Sequence, residues 1–436
     1  MNSYGSMKMK VLGIDIGTTT ISLVVLDPDQ KKVWESRTIS NGTFMETAWE
    51  LERIQDVNKI VEKTRKVLEG LLHAYPEVSS IGLTGQMHGI LYVDREGRCI
   101  SPLYTWQDGR GNVPDEHGKT LTEMVREKTG ITVFTGYGLV THLWNQLYGE
   151  VPEEAVGICT IADYLGMCLT GRKRPLLHAS NAASLGFYDV KEHAFRRDIL
   201  QNLAVNTEIL PEVCQNFEQL GTYRGIPVTV AIGDNQASFL GSVGLKERTL
   251  LLNMGTGGQI SVLSPDYFEA PGIEARPITE GNYLLVGASL FGGRAYAILE
   301  RFLRSCVGTD ESQYEKMEQL ARAGQQQKDR MKVNTTFNGT RVHPELRGSI
   351  LNVSEENFTP EGLVYGVLEG MAAELYEMFR VIQKGTGIQA EHLIASGNGL
   401  RRNPVLQEIC SDMFGATLTL ADYREEAACG AAVSSR

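Results

Sequence analysis

Cysteines are few and positive charge is outnumbered in this chain, and each shortage excludes something. The 436 residues include seven cysteines, odd in number, scattered, and without a Cys-x-x-Cys pair. That pattern excludes a disulfide framework and reads as reduced, mostly buried thiols of a cytosolic protein. Lys and Arg total 42 against 53 Asp and Glu, a formal net charge of -11, which argues against nonspecific binding to DNA, RNA or an anionic membrane. No apolar run approaches membrane-spanning length, and residues 1–10 lack the apolar core of a signal peptide. The expected setting is therefore cytoplasmic, with no nucleic-acid and no membrane partner. What remains is ordinary for a soluble globular protein, with 42% hydrophobic and 22% charged residues and enough length for two or three domains.

The rest of the chain is organised around its first apolar stretch. Two β-branched runs, Val11 to Ile16 and Ile21 to Leu26, flank Gly17-Thr-Thr-Thr20 and read as a hairpin. Gly17 can take a positive φ and admit a ligand close to the backbone, while Thr18 and Thr19 offer N–H and hydroxyl groups that suit a phosphate. Asp15 ends the first strand, where a carboxylate can hold a hydrated Mg²⁺ or merely cap the turn. An acidic protein can bind a nucleotide this way, with backbone N–H groups and Mg²⁺ in place of basic side chains.

A third strand over Val33 to Ser40 and a helix over Glu46 to Leu72 follow from the alternation and the three- and four-residue apolar spacing. Ser80 to Gly85 is a short strand running into Gly85-Gln-Met-His-Gly89, and Thr105-Trp-Gln-Asp-Gly-Arg110 comes after another strand. Strand ends in open α/β sheets are where ligands sit, so Gln86, His88, Trp106 and Asp108 are candidates for one pocket. A ring beside amide, imidazole and carboxylate suits a polyhydroxylated substrate, although a lone His or Trp is more often structural. Ile161 to Gly171 reads as a helix with a glycine stop, Asn181 to Ser184 as a polar turn, and Gln201 to Leu220 as helix-rich. Val228 to Gly233 is an apolar strand delivering Asp234 and Asn235 before a small-residue helix. Asp234 is there either a helix N-cap or a general base for a substrate hydroxyl.

The design then recurs. Thr249 to Leu263 is again strand, Gly-Thr-Gly-Gly turn and strand, with Gly255 and Thr256 in the turn. Two such hairpins facing one cleft would grip a nucleotide from both sides. Gly292-Gly293 precedes a helix through Phe302; Thr309 to Arg330 is an exposed polar helix, Thr359 to Lys384 an amphipathic one, and His392 to Ser396 a strand ending in the turn Gly397-Asn398-Gly399.

In this order the pieces resemble the FGGY family of carbohydrate kinases, within the actin-like ATPase clan. The motifs are Asp15-x-Gly17-Thr18-Thr19, Gly85 to Gly89, Gly233-Asp234-Asn235-Gln236, Gly255-Thr256-Gly257, Glu369-Gly370 and Ser396 to Gly399. The resemblance implies an α/β fold of two actin-like (ribonuclease H-like) domains flanking a central cleft. It implies a sugar-binding domain over 1–238 and a nucleotide-binding domain over 239–436. ATP and Mg²⁺ are the implied cofactors and a small-molecule sugar the partner; a homodimer is left open. Asp234 would be the catalytic base. Asp15 and Asp234 would lie on the metal side. Gln86, Met87, His88, Trp106, Asp108, Asn181, Asp234 and Asn235 would meet the sugar. Asp15, Gly17, Thr18, Thr19, Gly255, Thr256, Gly293, Gly397 and Asn398 would meet ATP. Within the family, Thr105 to Arg110 and Arg174 to Ser184 are most similar to members acting on the seven-carbon ketose sedoheptulose, with pentulose kinases or a non-catalytic sugar sensor as alternatives. Thr141 departs from a Lys that one family signature places three residues before Trp144, which argues against a glycerol substrate. Relatives usually continue into a final helix after Glu425 to Gly430, and the sequence here runs to Arg436.

Overall fold

The computed structural model describes residues 9–340 and 342–436. Its contacts divide into two compact units, the first made of residues up to Gly244 with Pro277–Glu280 and Tyr423–Arg436, the second of Leu245–Arg276 and Gly281–Asp422.

In the first unit β1 (Lys10–Ile16), β2 (Thr20–Asp27) and β3 (Lys32–Ser40) form an antiparallel meander. Helix α1 (Val57–Ala74) crosses over to β4 (Val78–Gly85), which lies parallel to β1. Val11, Leu12, Ile14 and Ile16 are wholly buried, as a central strand covered on both faces requires. Helices α2 (Ile161–Thr170) and α3 (Ala179–Ser184) precede β5 (Gln219–Tyr223), β6 (Ile226–Thr229) and the two-residue β7 (Ile232–Gly233). The sheet order is β5-β6-β4-β1-β2-β3, and β7 also pairs with β4 before the chain enters α4 (Asp234–Ser242).

The second unit repeats the arrangement. Strands β8 (Thr249–Met254), β9 (Gly258–Ser264) and β10 (Asn282–Ser289) form its meander, with Ile273–Thr279 at the sheet edge. Helices α5 (Gly293–Val307) and α6 (Pro360–Thr386) lead to β11 (His392–Ser396), parallel to β8, and β12 (Thr417–Leu420) lies outside it. Thr359 caps α6 through the Gly362 N–H, and Val367, Met371, Leu375 and Ile382 bury its apolar face.

The chain's last helix, α7 (Glu426–Ser434), packs in the first unit. Its run of small residues lets it lie directly on the backbone. A Cβ on Gly13 or Gly82 would fall 1.8 or 1.7 Å from a carbonyl oxygen of Ala428 or Ala431, and Gly430 meets Ala237 equally closely.

Three expectations need correction. The expected division at 238/239 falls inside α4, and α7 belongs with the first unit rather than the second. The final helix over Glu426–Ser434 has Ala428, Cys429, Ala431 and Ala432 buried by this close packing. The first long helix begins only at Val57, capped by Asp56, because Ile54–Gln55 pairs as a strand with Leu103–Tyr104. The turn at Asn181 is helical, whereas Gln201 to Leu220 holds only short helical pieces and the strands Glu212–Cys214 and Gln219–Tyr223. Among the described residues, no helix is long and apolar enough to cross a membrane, and all seven cysteines are free.

Candidate active site

Strand register brings the two candidate acids together. Asp15 pairs with Thr84, which pairs on its other side with Ile232; Ile16 and Gly233 likewise flank Gly85. Asp15 and Asp234 therefore emerge at the same end of the two strands that flank β4. Gly233, with extended φ and ψ, is the N-cap of α4, so Asp234 is the first helical residue and not the cap that one reading made it. Its carboxylate there faces the positive end of the helix dipole. A Cβ on Gly233 would stand 2.7 Å from the Met87 sulfur, so the Met87 side chain would have to shift to admit one. Burial pushes the Asp15 carboxyl up to about 7, and the charge of Asp234 adds to that.

The turn after β1 is tied by hydrogen bonds whose direction is fixed. The Gln55 Nε2 donates to the Thr18 carbonyl at 3.0 Å, a group that can only accept, so Gln55 turns its oxygen to the Gln86 Nε2 at 2.8 Å. Gln86 then offers its oxygen to the Thr18 hydroxyl at 3.2 Å, and that hydroxyl accepts from the Trp106 indole N–H at 3.0 Å. The half-exposed Trp106 is thus held over the turn by a closed chain of donors and acceptors. Asn41 completes the turn by donating to the Gly17 carbonyl at 2.8 Å. Gly17 does not use the positive φ expected of it, since these side chains hold the turn without it. Thr19 is exposed beside Thr18.

His88 has φ +72, a conformation that costs free energy outside glycine. It is held by Ser184, whose hydroxyl accepts from the His88 backbone N–H at 3.1 Å and whose carbonyl accepts from Nδ1 at 2.7 Å. Its ring lies flat on Tyr137, 4.8 Å between centroids. Asn235 is half-buried, and its Oδ1 is enclosed without a partner, a vacant acceptor for a ligand hydroxyl.

Three candidates sit differently from what was expected. Asp108 is fully buried. One oxygen accepts from the Arg110 N–H and, at 2.6 Å, from Arg110 Nε; the other accepts from the Arg53 N–H and Arg110 Nη2. It shapes the loop carrying Trp106 and presents no carboxylate at the surface. Asn181 is buried too, donating to Asp163 at 3.2 Å and to the Ala231 carbonyl at 3.1 Å. Met87 is buried beneath Gly233. All three support the pocket from behind. Gln55, Asn41 and Ser184 were missed; no short motif marks them, and Gln55 had been read into a helix.

The second unit gathers the glycine turns into a cradle of its own. The Gly293 N–H donates to the Gly255 carbonyl at 2.9 Å, and the Gly292 and Arg294 N–H groups donate to Thr256 at 3.0 and 3.1 Å, so the β8–β9 turn is fastened to the start of α5. Gly397 has φ +78, and its Cβ position is 2.5 Å from the Met254 carbonyl. Only glycine permits these approaches. Gly255, Thr256 and Asn398 are exposed on the cradle's open side. Backbone turns of this kind, next to a helix N-terminus, hold phosphate.

Among the described residues, no group of three or more His, Cys, Asp or Glu side chains is placed to hold a metal. Asp15 and Asp234 nevertheless fit Mg²⁺, which keeps most of its waters and takes one or two carboxylates together with substrate phosphates.

A family model described as FGGY family of carbohydrate kinases, N-terminal domain, matches residues 10–241, and its C-terminal counterpart matches 250–434. Sedoheptulokinase of Mus musculus is 28% identical over 91% of this chain and 91% of its own. The solved structure of a xylulose kinase from Brucella ovis superposes with a TM-score of 0.81 at 22% identity, covering 98% of this chain and 89% of that one. Plasmodium falciparum glycerol kinase with ADP gives 0.79 at 19% identity, covering 98% and 89%.

Proposed function

Because the chain belongs to the FGGY family of carbohydrate kinases, we propose that it transfers the γ-phosphoryl group of ATP to the terminal hydroxyl of a ketose, with sedoheptulose giving sedoheptulose 7-phosphate. The observation that carries this reading is the pair Asp15 and Asp234 at one strand end, with Asp234 leading a helix. Asp234 accepts the proton of the acceptor hydroxyl as its oxygen attacks phosphorus, and ADP leaves with the electron pair of the broken P–O bond. Trp106 offers a face to the C–H side of the sugar; His88 and Asn235 take its hydroxyls. The Gly17–Thr19 turn and the cradle around Gly255, Gly293 and Gly397 hold phosphate oxygens through N–H groups. Mg²⁺ at Asp15 and Asp234 would supply charge neutralisation of the phosphates.

The seven-carbon acceptor is supported by the similarity to sedoheptulokinase and by hydroxyl accounting. A three-carbon polyol leaves polar groups such as Asn235 Oδ1 unpaired, at roughly 1 to 3 kcal/mol each. The test is ADP release by the purified protein with sedoheptulose, xylulose, ribulose and glycerol. Sedoheptulose should give the highest kcat/KM and glycerol almost none. A higher value for xylulose or ribulose would leave a pentulose kinase, and no ADP release with any ketose would overturn the reading altogether.

A further inference from the structure

Helix α3 is unusual for a buried element. Its six residues, Ala-Ser-Asn-Ala-Ala-Ser, offer only alanine methyls to the core, yet Ser180, Asn181 and Ser184 are all buried with them. Buried hydroxyls need partners, and here they include the backbone N–H just ahead of Asp234 and the backbone N–H of His88.

On one side, the ring of His178 fixes the direction of every bond. Its Nε2 is 3.2 Å from the Gln215 carbonyl, which can only accept, so Nε2 carries the proton. Burial pushes the ring down to about 4 and keeps it neutral, leaving Nδ1 as an acceptor. Nδ1 accepts from the Ser180 hydroxyl at 2.7 Å and from the Ser180 backbone N–H at 3.2 Å. With its proton committed, Ser180 Oγ accepts from the Gly233 N–H at 2.9 Å. Gly233 is the N-cap that sets the direction of Asp234.

On the other side, the Ser184 hydroxyl donates to the Asn181 carbonyl at 2.7 Å and accepts from the His88 N–H. The Ser184 carbonyl can only accept, so His88 Nδ1 carries a proton and donates it there. A residue at φ +72 keeps that conformation only where its surroundings determine it, and Ser184 supplies two of those determinants.

We propose that Ser180 and Ser184 are separate positioning residues for the two ends of the acceptor site, Ser180 orienting Asp234 and Ser184 orienting His88. The proposal rests on the reading of Asp234 as base and His88 as sugar contact. Loss of the Ser180 hydroxyl leaves the buried Gly233 N–H without that acceptor, and loss of the Ser184 hydroxyl does the same to the part-buried His88 N–H, but the two losses fall on different kinetic constants. A displaced base slows the chemical step; a displaced sugar contact weakens binding in ground and transition state alike.

The experiment is steady-state kinetics of the full chain with sedoheptulose, alongside thermal melting. Ser180→Ala should lower kcat about tenfold with KM within about twofold, and Ser184→Ala should raise KM about tenfold with kcat within about twofold. In the double variant the two effects should multiply, as for independent sites. Ser→Cys at each position keeps the volume and replaces oxygen by a weakly bonding sulfur. These variants should show the same split, and they carry the test where an alanine variant does not fold. Variants that lose kcat and KM together, in step with the melting temperature, would reduce α3 to a structural element and overturn the proposal. So would Cys variants matching wild type in both constants. A wild-type chain that phosphorylates no ketose would instead overturn the functional reading beneath it.

Discussion

Asp15 and Asp234, 219 positions apart in the sequence, lie close enough that the charge of Asp234 helps hold the Asp15 carboxyl near 7. Burial is the larger cause of that shift and the charge of Asp234 the smaller, an arrangement of the kind function maintains at the expense of stability.

Replacing Asp234 by Asn should therefore lower kcat by about 10² to 10⁴ while the protein remains folded. Melting curves and single-turnover rates on the same preparation check this. Wild-type turnover in the variant would reassign Asp234 to a structural role at the head of α4.

Asp15→Asn should separate stability from activity. The folded carboxyl titrates near 7 against an ordinary value of 3.8. Below about pH 4 both states are protonated and Asp15 costs nothing. As pH rises towards 7 the unfolded chain gives up its proton while the folded one keeps it, so stability falls, and above 7 the whole cost is present. The variant should then unfold at higher urea than wild type at pH 8, by about 1 to 2 kcal/mol, with no difference near pH 4, and should be nearly inactive. Equal stability at both pH values would contradict the account.

Much of this was legible from local pattern. Both hairpins, the crossover helix α6 and the strand leading to Asp234 follow from apolar periodicity and glycine turns, because a buried central strand leaves few other ways to read Val11 to Ile16 or Val228 to Gly233. The supporting shell was not. Gln55 and Asn41 matter through bonds to Thr18 and Gly17 across the fold, and Asp108 looked like a pocket carboxylate until Arg110 was seen closing on it. Helix α7 was missed because its small residues carry little apolar periodicity; its fit depends on glycines more than 180 positions away.

Trp106 and Thr18 share one hydrogen bond. Trp106→Phe and Thr18→Val should each reduce kcat/KM by roughly three- to tenfold, and the double variant should be no worse than the poorer single one. Multiplying losses would show that the two side chains act independently.

The Asp108–Arg110 pair is buried and hydrogen-bonded. Arg110→Met should cost about 3 to 5 kcal/mol by leaving a buried carboxylate unpaired. Asp108→Asn should lower stability far more than it changes the ketose KM. A large rise in KM without loss of stability would return Asp108 to the sugar's surface.

The cradle of the second unit permits the cleanest separation of packing from ligand binding. A Cβ on Gly292 would fall 2.3 Å from the Gly257 carbonyl, on Gly293 2.7 Å from that of Gly255, and on Gly257 2.6 Å from that of Ser289. Alanine at any of these must displace backbone, and its effects on nucleotide and fold would be confounded. Gly255 differs: a Cβ there meets nothing within 4 Å, its φ is not one that excludes side chains, and the residue is exposed. Gly255→Ala should therefore leave the unfolding free energy within about 0.5 kcal/mol of wild type. If phosphate oxygens approach this turn through its N–H groups, the added methyl stands in their path. The ATP KM should then rise about tenfold or more at fixed ketose, while the ketose KM changes little. Gly292→Ala, measured alongside, should lower the melting temperature. An unchanged ATP KM in Gly255→Ala would remove this turn from the nucleotide site.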